Sequence, residues 1–432
     1  MDEEAVTLGG DTGAAAGPEK GRLRILALHR DQHAHVKPLE DVMEEEAEFI
    51  HDETWIPTAV EQQAPDLVLC VNDWPDEVAA CLARARLARI PSLVLQDGIL
   101  EWRCQYENPL FGAGGGAPQH QPVLADKIAC LGVQSARHIA SWGNVDRVEV
   151  TGMPRLDYLL GRALPSRRKP GSRLLVMTAK NPGFTPEQRA VTLRSLRDVK
   201  SVLDGRRDLE VTWRIGRSLA ETLGVETEFQ AAASEELVAI LERVDAVITT
   251  PSTALLEAML SGRPVAALDY HNVPRFVATA WTISAAEQIA PVLAELLDAP
   301  TRKMAFQGMC LRDSLECDGP SAPRVARLIG DLVAVARKLP ATAPFRFPAN
   351  LLGTPIATVR AAPPSLDELY PGQEVFANRD VRELQIRLAR ANKENERLRQ
   401  ALRERSLASG LREFGKRLLG ALENRRGGTG RV

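Results

Sequence analysis

The sequence predicts an α/β protein of two similar doubly wound halves facing across a cleft, with a separate helical segment at its C-terminus. Three observations carry this expectation. Short apolar runs that end in polar residues recur along the chain and alternate with amphipathic helical stretches, as parallel strands joined by crossover helices do. The pattern stops in a Pro-rich basic stretch near the middle and then restarts. Finally, 432 residues with 44% hydrophobic and 26% charged positions exceed what one ordinary core needs.

The first strand is LRILALHR (23–30), followed by PDLVLCVND (65–73) and IPSLVLQDG (90–98). Their nearly continuous apolar runs suit strands covered on both faces. Between the last two, DEVAACLARARLAR spaces its Ala and Leu as a crossover helix does. ADKIACLG (125–132) and VDRVEVTGMP (145–154) supply two more strands around the helical VQSARHIASWG. RALPSRRKPGS (162–172) has no apolar period and reads as an exposed linker. The second half then runs through the strands SRLLVMTAK, LEVTWRIG, VDAVITTPS and RPVAALD, interleaved with helices such as SEELVAILERV and TALLEAMLSG. It is expected to close with a helical segment at 320–339. Each half is thus Rossmann-like, and in open α/β sheets ligands bind beyond the carboxyl ends of the strands.

The expected division is a disordered start at 1–21, a first Rossmann-like domain at 22–165, a second at 172–339 and a Pro-rich linker or strap at 340–377. A coiled coil at 378–407 and a basic amphipathic helix at 411–426 follow. Val381, Leu384, Leu388, Ala391, Asn395, Leu398 and Leu402 lie alternately three and four apart, the seam of a two-stranded coiled coil. Asn395 at an a position favours a parallel homodimer through 381–402; a solvated single helix is the alternative. Leu411, Phe414, Leu418 and Leu422 share one face, with Arg412, Lys416, Arg425 and Arg426 elsewhere, a pattern suited to an anionic membrane surface or to packing on the body or a partner.

Composition removes several classes. A net charge of −3 hides a basic tail, in which Lys and Arg outnumber Asp and Glu by about eight from Asn378 onward; no nucleic-acid partner is expected. The acidic, Gly-rich start lacks the basic and apolar regions of a secretory signal, and no apolar run reaches the roughly 18 to 20 residues that span a bilayer. The chain therefore reads as cytoplasmic, any membrane contact being peripheral. Cys70, Cys81, Cys104, Cys130, Cys310 and Cys317 fall at irregular spacings and read as reduced core thiols. No GxGxxG follows a strand, and there is no GK[ST], HExxH or GxSxG, which argues against hydride transfer, P-loop hydrolysis, zinc proteolysis and the hydrolase elbow.

The most informative segment is VDAVITTPSTALLEAMLSGRPVAALD (244–269). A strand runs through Thr249, Thr250, Pro251, Ser252 and Thr253 directly into a helix, so hydroxyls and free amide N–H groups converge at a positive helix end where phosphate fits. Glu257, one turn into that helix, is placed to accept from a ribose diol. An N-cap with a buried first turn is the plain alternative. Asp97, in Gln96-Asp97-Gly98 after the third strand, and Asp73, after the second, reach the same rim. Either carboxylate could serve as a general base, given partial desolvation; either could equally be a turn or capping residue. Lys180 and Asn181 in TAKNPG and Arg214 in WRIGR end the first two strands of the second half, where fixed cations would stabilise a leaving diphosphate. His29, His33 and His35 follow the first strand, but with no Cys or carboxylate cluster to complete a site they are expected to line a loop on the acceptor side, with no bound metal.

The 244–269 segment resembles the donor-nucleotide motif of glycosyltransferases of the B-type two-domain fold (GT-B) and of the related sugar-nucleotide 2-epimerases. KIACLGVQSARHIASWGNVDRVEVTGMPRLDYL and CDGPSAPRVARLI are similar to the same family's first-domain end and closing helix. The resemblance implies phosphate contacts at Ser252 and Thr253 and a ribose contact at Glu257, with a nucleotide-activated sugar as substrate, a glycan or lipid-linked acceptor, and no separate cofactor. The segments read LQDG and MTAKNPG where the epimerases carry a Glu and a His-Arg pair, which argues against epimerase chemistry; a glycosyltransferase is the implied activity, with an epimerase-like enzyme or a catalytically inactive scaffold of the same fold as the alternatives. In the capsule-polymer and glycerophosphate-transferring relatives the first-domain motif reads Gln-His-Gly, so Asp97 stands where their His does. Their Lys-x-His-Pro corresponds to the WRIGR site, with Gly216 at the His, leaving leaving-group assistance to Arg214 or Arg217.

Overall fold

The computed structural model describes residues 21–109, 118–161, 173–180 and 182–354, together with residues 395 and 399. Its strands are Leu23–Leu28 (β1), Ala47–Asp52 (β2), Leu67–Cys70 (β3), Ser92–Leu95 (β4), Lys127–Cys130 (β5), Val148–Val150 (β6), Arg173–Met177 (β7), Glu210–Arg214 (β8), Ala246–Thr249 (β9), Val265–Leu268 (β10) and Trp281–Ile283 (β11). The helices are His33–Val42 (α1), Ala59–Gln63 (α2), Asp76–Leu87 (α3), Val133–Ile139 (α4), Pro186–Asp204 (α5), Arg217–Leu223 (α6), Glu226–Ala233 (α7), Leu237–Arg243 (α8), Thr253–Leu260 (α9), Ile289–Leu297 (α10), Thr301–Ser314 (α11) and Ser321–Lys338 (α12).

Two parallel sheets result. The first runs β2-β1-β3-β4-β5-β6 and the second β11-β10-β9-β7-β8. In each, the winding reverses beside the sheet's first strand, between β1 and β3 and between β7 and β9. A crevice opens beyond the carboxyl edge at such a point because the flanking connections leave toward opposite faces. The α/β class of two doubly wound sheets is the one the sequence predicts. Two strands, β2 and β11, were not expected. β2 is an edge strand in which only Ala47 is buried, so it lacks the apolar run that marks the others, and β11 is three residues long.

Helices cover both faces of each sheet. On the first, Val78, Cys81 and Leu82 of α3 and Ala136 and Ile139 of α4 pack on one side. The other side receives Val36 and Leu39 of α1 and, from α12, Val325, Leu328, Ile329 and Leu332. The α12 residues repeat at i, i+3, i+4 and i+7, an apolar stripe, and all four are fully buried, each stabilising by about 1.5–3 kcal/mol. This corrects the expected second domain, because α12 belongs by sequence to 172–339 but packs on the first sheet. The Asp157 carboxylate, just beyond β6, receives the Ser321 and Ala322 amides at 2.7 and 2.8 Å, anchoring a negative charge at the positive end of α12. Gly152, at φ +85°, lets the crossing segment lie against it; a Cβ there would meet Glu316 O at 2.4 Å.

The stretch after α12, expected within a linker at 340–377, is bound to the first sheet as far as it is described. Arg89 donates to Pro340 O and Ala343 O, Lys127 donates to Pro348 O, and Glu149 receives the Leu351 and Leu352 amides. Residues 355–377, the expected seam at 381–402 and the basic helix at 411–426 lie outside the described residues, except that Asn395 and Arg399 are helical and exposed. Among the described residues no helix is long and apolar enough to cross a membrane. The six thiols are free, with Cys70, Cys81, Cys130 and Cys310 buried; burial pushes the Cys81 thiol up to about 11 and that of Cys310 to about 12, away from thiolate reactivity.

Candidate functional site

Every residue of β9 is buried between β7 and β10, so its chain leaves the second sheet at the switch point. Thr249 and Thr250 finish the sheet. The Thr249 hydroxyl donates to Thr250 O (3.1 Å), and Thr250 Oγ1 receives the Ala179 amide (2.9 Å), lacing the end of β9 to β7. Thr250, expected at the phosphate, is tied to the scaffold through a lone pair of its Oγ1, which leaves its O–H to donate elsewhere. Ser252 differs. It is the extended residue (φ −168°) before α9, its side chain makes no cap hydrogen bond, and its buried Oγ has no partner among the described residues; the same holds for Thr178 Oγ1 at the end of β7. A buried hydroxyl left unpaired costs about 1–3 kcal/mol, so each of these two can take a polar partner, water included.

The first sheet delivers Gln96-Asp97-Gly98 from β4 to face this turn. Gln96 fixes the loop, its Oε1 accepting from the Leu131 amide (3.1 Å) and its Nε2 donating to Gly98 O (2.8 Å). Gly98 lies so near the opposite half that a Cβ would sit 2.7 Å from Thr253 Oγ1; the loop and the turn therefore meet across the crevice. Asp97 stands at this junction, its Oδ2 receiving Gln32 Nε2 at 3.3 Å. Gln32 is held by Asn72 (2.9 Å), and Asn72 by the Trp74 indole (3.3 Å). Burial pushes the Asp97 carboxyl above the ordinary carboxylate range, against the opposing pull of His120, Arg155 and Gln32.

Other expected residues lie differently. Asp73 is 1% exposed and receives the Leu124 amide at 2.7 Å, with His120 Nδ1 at 3.6 Å. Burial alone would raise its carboxyl, but His120 and the amides of Leu124 and Ala125 hold it below the ordinary range. It therefore fixes the 120–125 loop and is too enclosed to meet an acceptor. Arg214 donates to Ala232 O and Glu235 O at 2.9 and 2.8 Å, closing the carboxyl end of α7 rather than facing the turn. Lys180 is exposed at the end of β7, Arg217 is exposed at the start of α6, and Asn181 is outside the described residues.

Glu257, mostly buried on α9, is paired with Arg155 from the segment after β6, Nη1 to Oε1 at 3.1 Å. Sequence reasoning did not single out Arg155; its position directly after a strand, in GMPR, was the available signal. Its buried Nε has no partner among the described residues, and its charge reaches both Asp97 and His35. Burial, aided by Arg155, depresses His35 to about 3, so His35 presents a neutral imidazole. His29 and His33, expected on the acceptor side with His35, lie against His51, with ring centroids 5.1 and 5.2 Å away.

A small cavity of about 20 Å³ adjoins the turn, lined by Glu101 and Trp102 from one half and by Pro251, Leu255, Asp269 and Arg275 from the other; that is room for about one water. Burial raises both the Glu101 and the Asp269 carboxyl, and the two repel each other at Glu101; Arg103 is ion-paired with Glu101. Neither acid was legible in the sequence.

No protein-family profile matches the chain, and no curated protein matches it. Among solved structures it is similar in fold to a UDP co-structure of S. aureus MnaA (14% identity, 75% of this chain and 100% of that chain, TM-score 0.48). It is likewise similar to UDP-GlcNAc 2-epimerase from Neisseria meningitidis bound to UDP-GlcNAc (13%, 72% and 100%, TM-score 0.47). A third is a variant of the wall teichoic acid polymerase TagF soaked with CDPG (10%, 73% and 90%, TM-score 0.47).

Proposed function

We propose that this chain is a glycosyltransferase that binds a nucleotide-activated sugar, or a related polyol phosphate donor, in the crevice and transfers it to a glycan or glycolipid acceptor. The observation that carries the reading is the juxtaposition of the unpaired Ser252 hydroxyl at the start of α9 with the Asp97-Gly98 loop of the other half. The donor diphosphate sits at that turn, taking the Ser252 and Thr253 hydroxyls and the first amides of α9. Arg155 and Lys180 supply positive charge beside it, a different cation pair from the one the sequence suggested, and Glu257, oriented by Arg155, accepts from the ribose.

Asp97 acts as the base. It takes the proton of the acceptor hydroxyl as that oxygen bonds to the donor's reacting centre, the anomeric carbon of a sugar or the phosphorus of a polyol phosphate. The bond from that centre to the nucleotide's terminal phosphate oxygen breaks, and its electron pair leaves with the nucleotide, where the helix end and the cations stabilise it. Burial suits Asp97 to this, because a carboxylate with a raised proton affinity is the stronger base.

The test uses UDP, CDP, GDP, ADP and dTDP in thermal melts. One of them at 100 times its Kd stabilises the chain by about 2.7 kcal/mol, and Ser252→Ala, which removes a hydroxyl with no partner among the described residues, shrinks that increment; Glu257→Ala abolishes it. No increment with any of the five would remove the reading.

A further inference from the structure

We propose that His33, Glu40 and His51 form a binding site for one divalent transition-metal ion of the imidazole-preferring kind, with zinc as its representative. The expectation of no metal considered only His29, His33 and His35; the fold adds two residues that no sequence spacing reveals. His33 opens α1, Glu40 lies two turns along it, and His51 sits in β2 opposite Ala27 of β1. Glu40 Oε1 is 2.9 Å from His33 Nε2 and 3.3 Å from His51 Nε2, and the three atoms all lie within 4.8 Å of one another. Ligands at about 2.0–2.2 Å from a tetrahedral zinc stand about 3.3 Å apart, so small side-chain adjustments seat the ion.

The hydrogen bonds around the cluster orient it for a cation. His29 Nδ1 is 2.7 Å from Arg30 O. A carbonyl only accepts, so this nitrogen carries the proton, and in neutral His29 the Nε2 is a bare lone pair. His51 Nδ1 lies 2.9 Å from that lone pair and must donate to it. Neutral His51 then turns its own Nε2 lone pair on Glu40 Oε1, acceptor against acceptor at 3.3 Å. A metal ion between them, or a proton on His51 Nε2, relieves this contact; metal-bound histidines almost always donate their other ring N–H, as His51 does here to the carbonyl-anchored His29. Lys37 approaches the other Glu40 oxygen, Oε2, at 3.9 Å, leaving Oε1 for the ion. The His33, Glu40 and His51 side chains are 48, 19 and 40% exposed, which gives the ion an entry path and room for a water ligand.

The site is distinct from the crevice, although His33 directly follows Gln32, which holds Asp97. An ion here would brace the turn that delivers Gln32 by tying α1 to the edge strand. The full chain, stripped with a chelator and dialysed against micromolar zinc chloride, is expected to retain one zinc whose X-ray absorption shows nitrogen and oxygen ligands only. His33→Ala with His51→Ala weakens binding at least 100-fold, and His29→Gln by about tenfold. Both ligand histidines are well exposed, so the double variant folds, and its metal-free melting temperature checks this; the absorption spectrum of the unaltered chain decides independently of any variant. Absence of retained zinc, unchanged affinity in the double variant, or sulfur in the coordination shell would overturn the proposal. A proton filling the contact instead of a metal gives the first of these results.

Discussion

Burial holds the Asp97 carboxyl above the ordinary carboxylate range, so the folded chain keeps that proton to a higher pH than the unfolded chain does. Folding is then favoured by this group below its unfolded value, about 3.9, and the contribution is lost as pH rises through the raised folded value. At pH 7 the ionised, desolvated group is a net cost. Asp97→Asn should therefore melt higher than the parent at pH 7, with the difference vanishing below about pH 4, while transferase turnover falls by at least about 100-fold and nucleotide-induced stabilisation persists. A parallel loss of nucleotide binding would assign Asp97 to the donor instead. Activity of the parent should fall on the acid side through the raised value, so its acid limb lies above that of an ordinary carboxylate. Gly98 supplies a second test at this scale. A Cβ 2.7 Å from Thr253 Oγ1 forces the loop or the turn to shift, so Gly98→Ala should cost about 1–3 kcal/mol and weaken nucleotide binding more than a substitution elsewhere of equal cost in stability.

Among the elements, the strand-to-helix turn of β9 and α9 was the most legible, because a buried apolar strand, a hydroxyl-rich turn and an amphipathic helix announce themselves locally. What the local pattern could not show was which hydroxyl oxygen already has a partner. Thr250 Oγ1 serves β7 through the Ala179 amide and Ser252 Oγ has no partner among the described residues, a distinction set by a strand some seventy residues earlier in the chain. Arg214 was misplaced for a related reason, since the carbonyls it meets belong to a helix end that composition does not locate. The Arg155–Glu257 pair links a segment after the first sheet to α9, a contact across about a hundred residues. Arg155→Met leaves a mostly buried carboxylate without its cation; charge-assisted hydrogen bonds of this kind contribute about 1.5–3 kcal/mol. The variant should lose that stability in chemical denaturation and bind nucleoside diphosphate less tightly. If its affinity were unchanged, Arg155 would be a structural partner of Glu257 alone.

At the scale of the molecule, the last described segments reunite the two halves. The chain leaves α11 in the second half, passes Gly152, and places α12 and the 340–354 stretch on the first sheet. Periodicity revealed the apolar stripe of α12, but the sheet that would receive it was not encoded in the stripe. The stretch beyond α12 read as a linker because its prolines hide any period; its attachment lies in polar contacts instead. Lys127 and Glu149 are a fully buried pair, 2.7 Å apart; Lys127 also donates to Asp146 O, and this stretch supplies the other partners, Pro348 O to Lys127 and the Leu351 and Leu352 amides to Glu149. Phe347, Leu351 and Leu352 pack on the core beside them. A chain ended at residue 354 keeps all of these contacts, whereas one ended at 339 exposes the pair and forfeits five hydrogen bonds, the two from Arg89 included, of about 0.5–1.5 kcal/mol each along with the apolar burial. The shorter chain should therefore melt at least about 5 °C below the longer. Replacing Lys127 alone in the longer chain should be worse than replacing both partners by apolar residues, since only the single change leaves a charge buried without its counterion. Equal melting temperatures for the 339 and 354 chains would show that the stretch rests on the sheet without stabilising it.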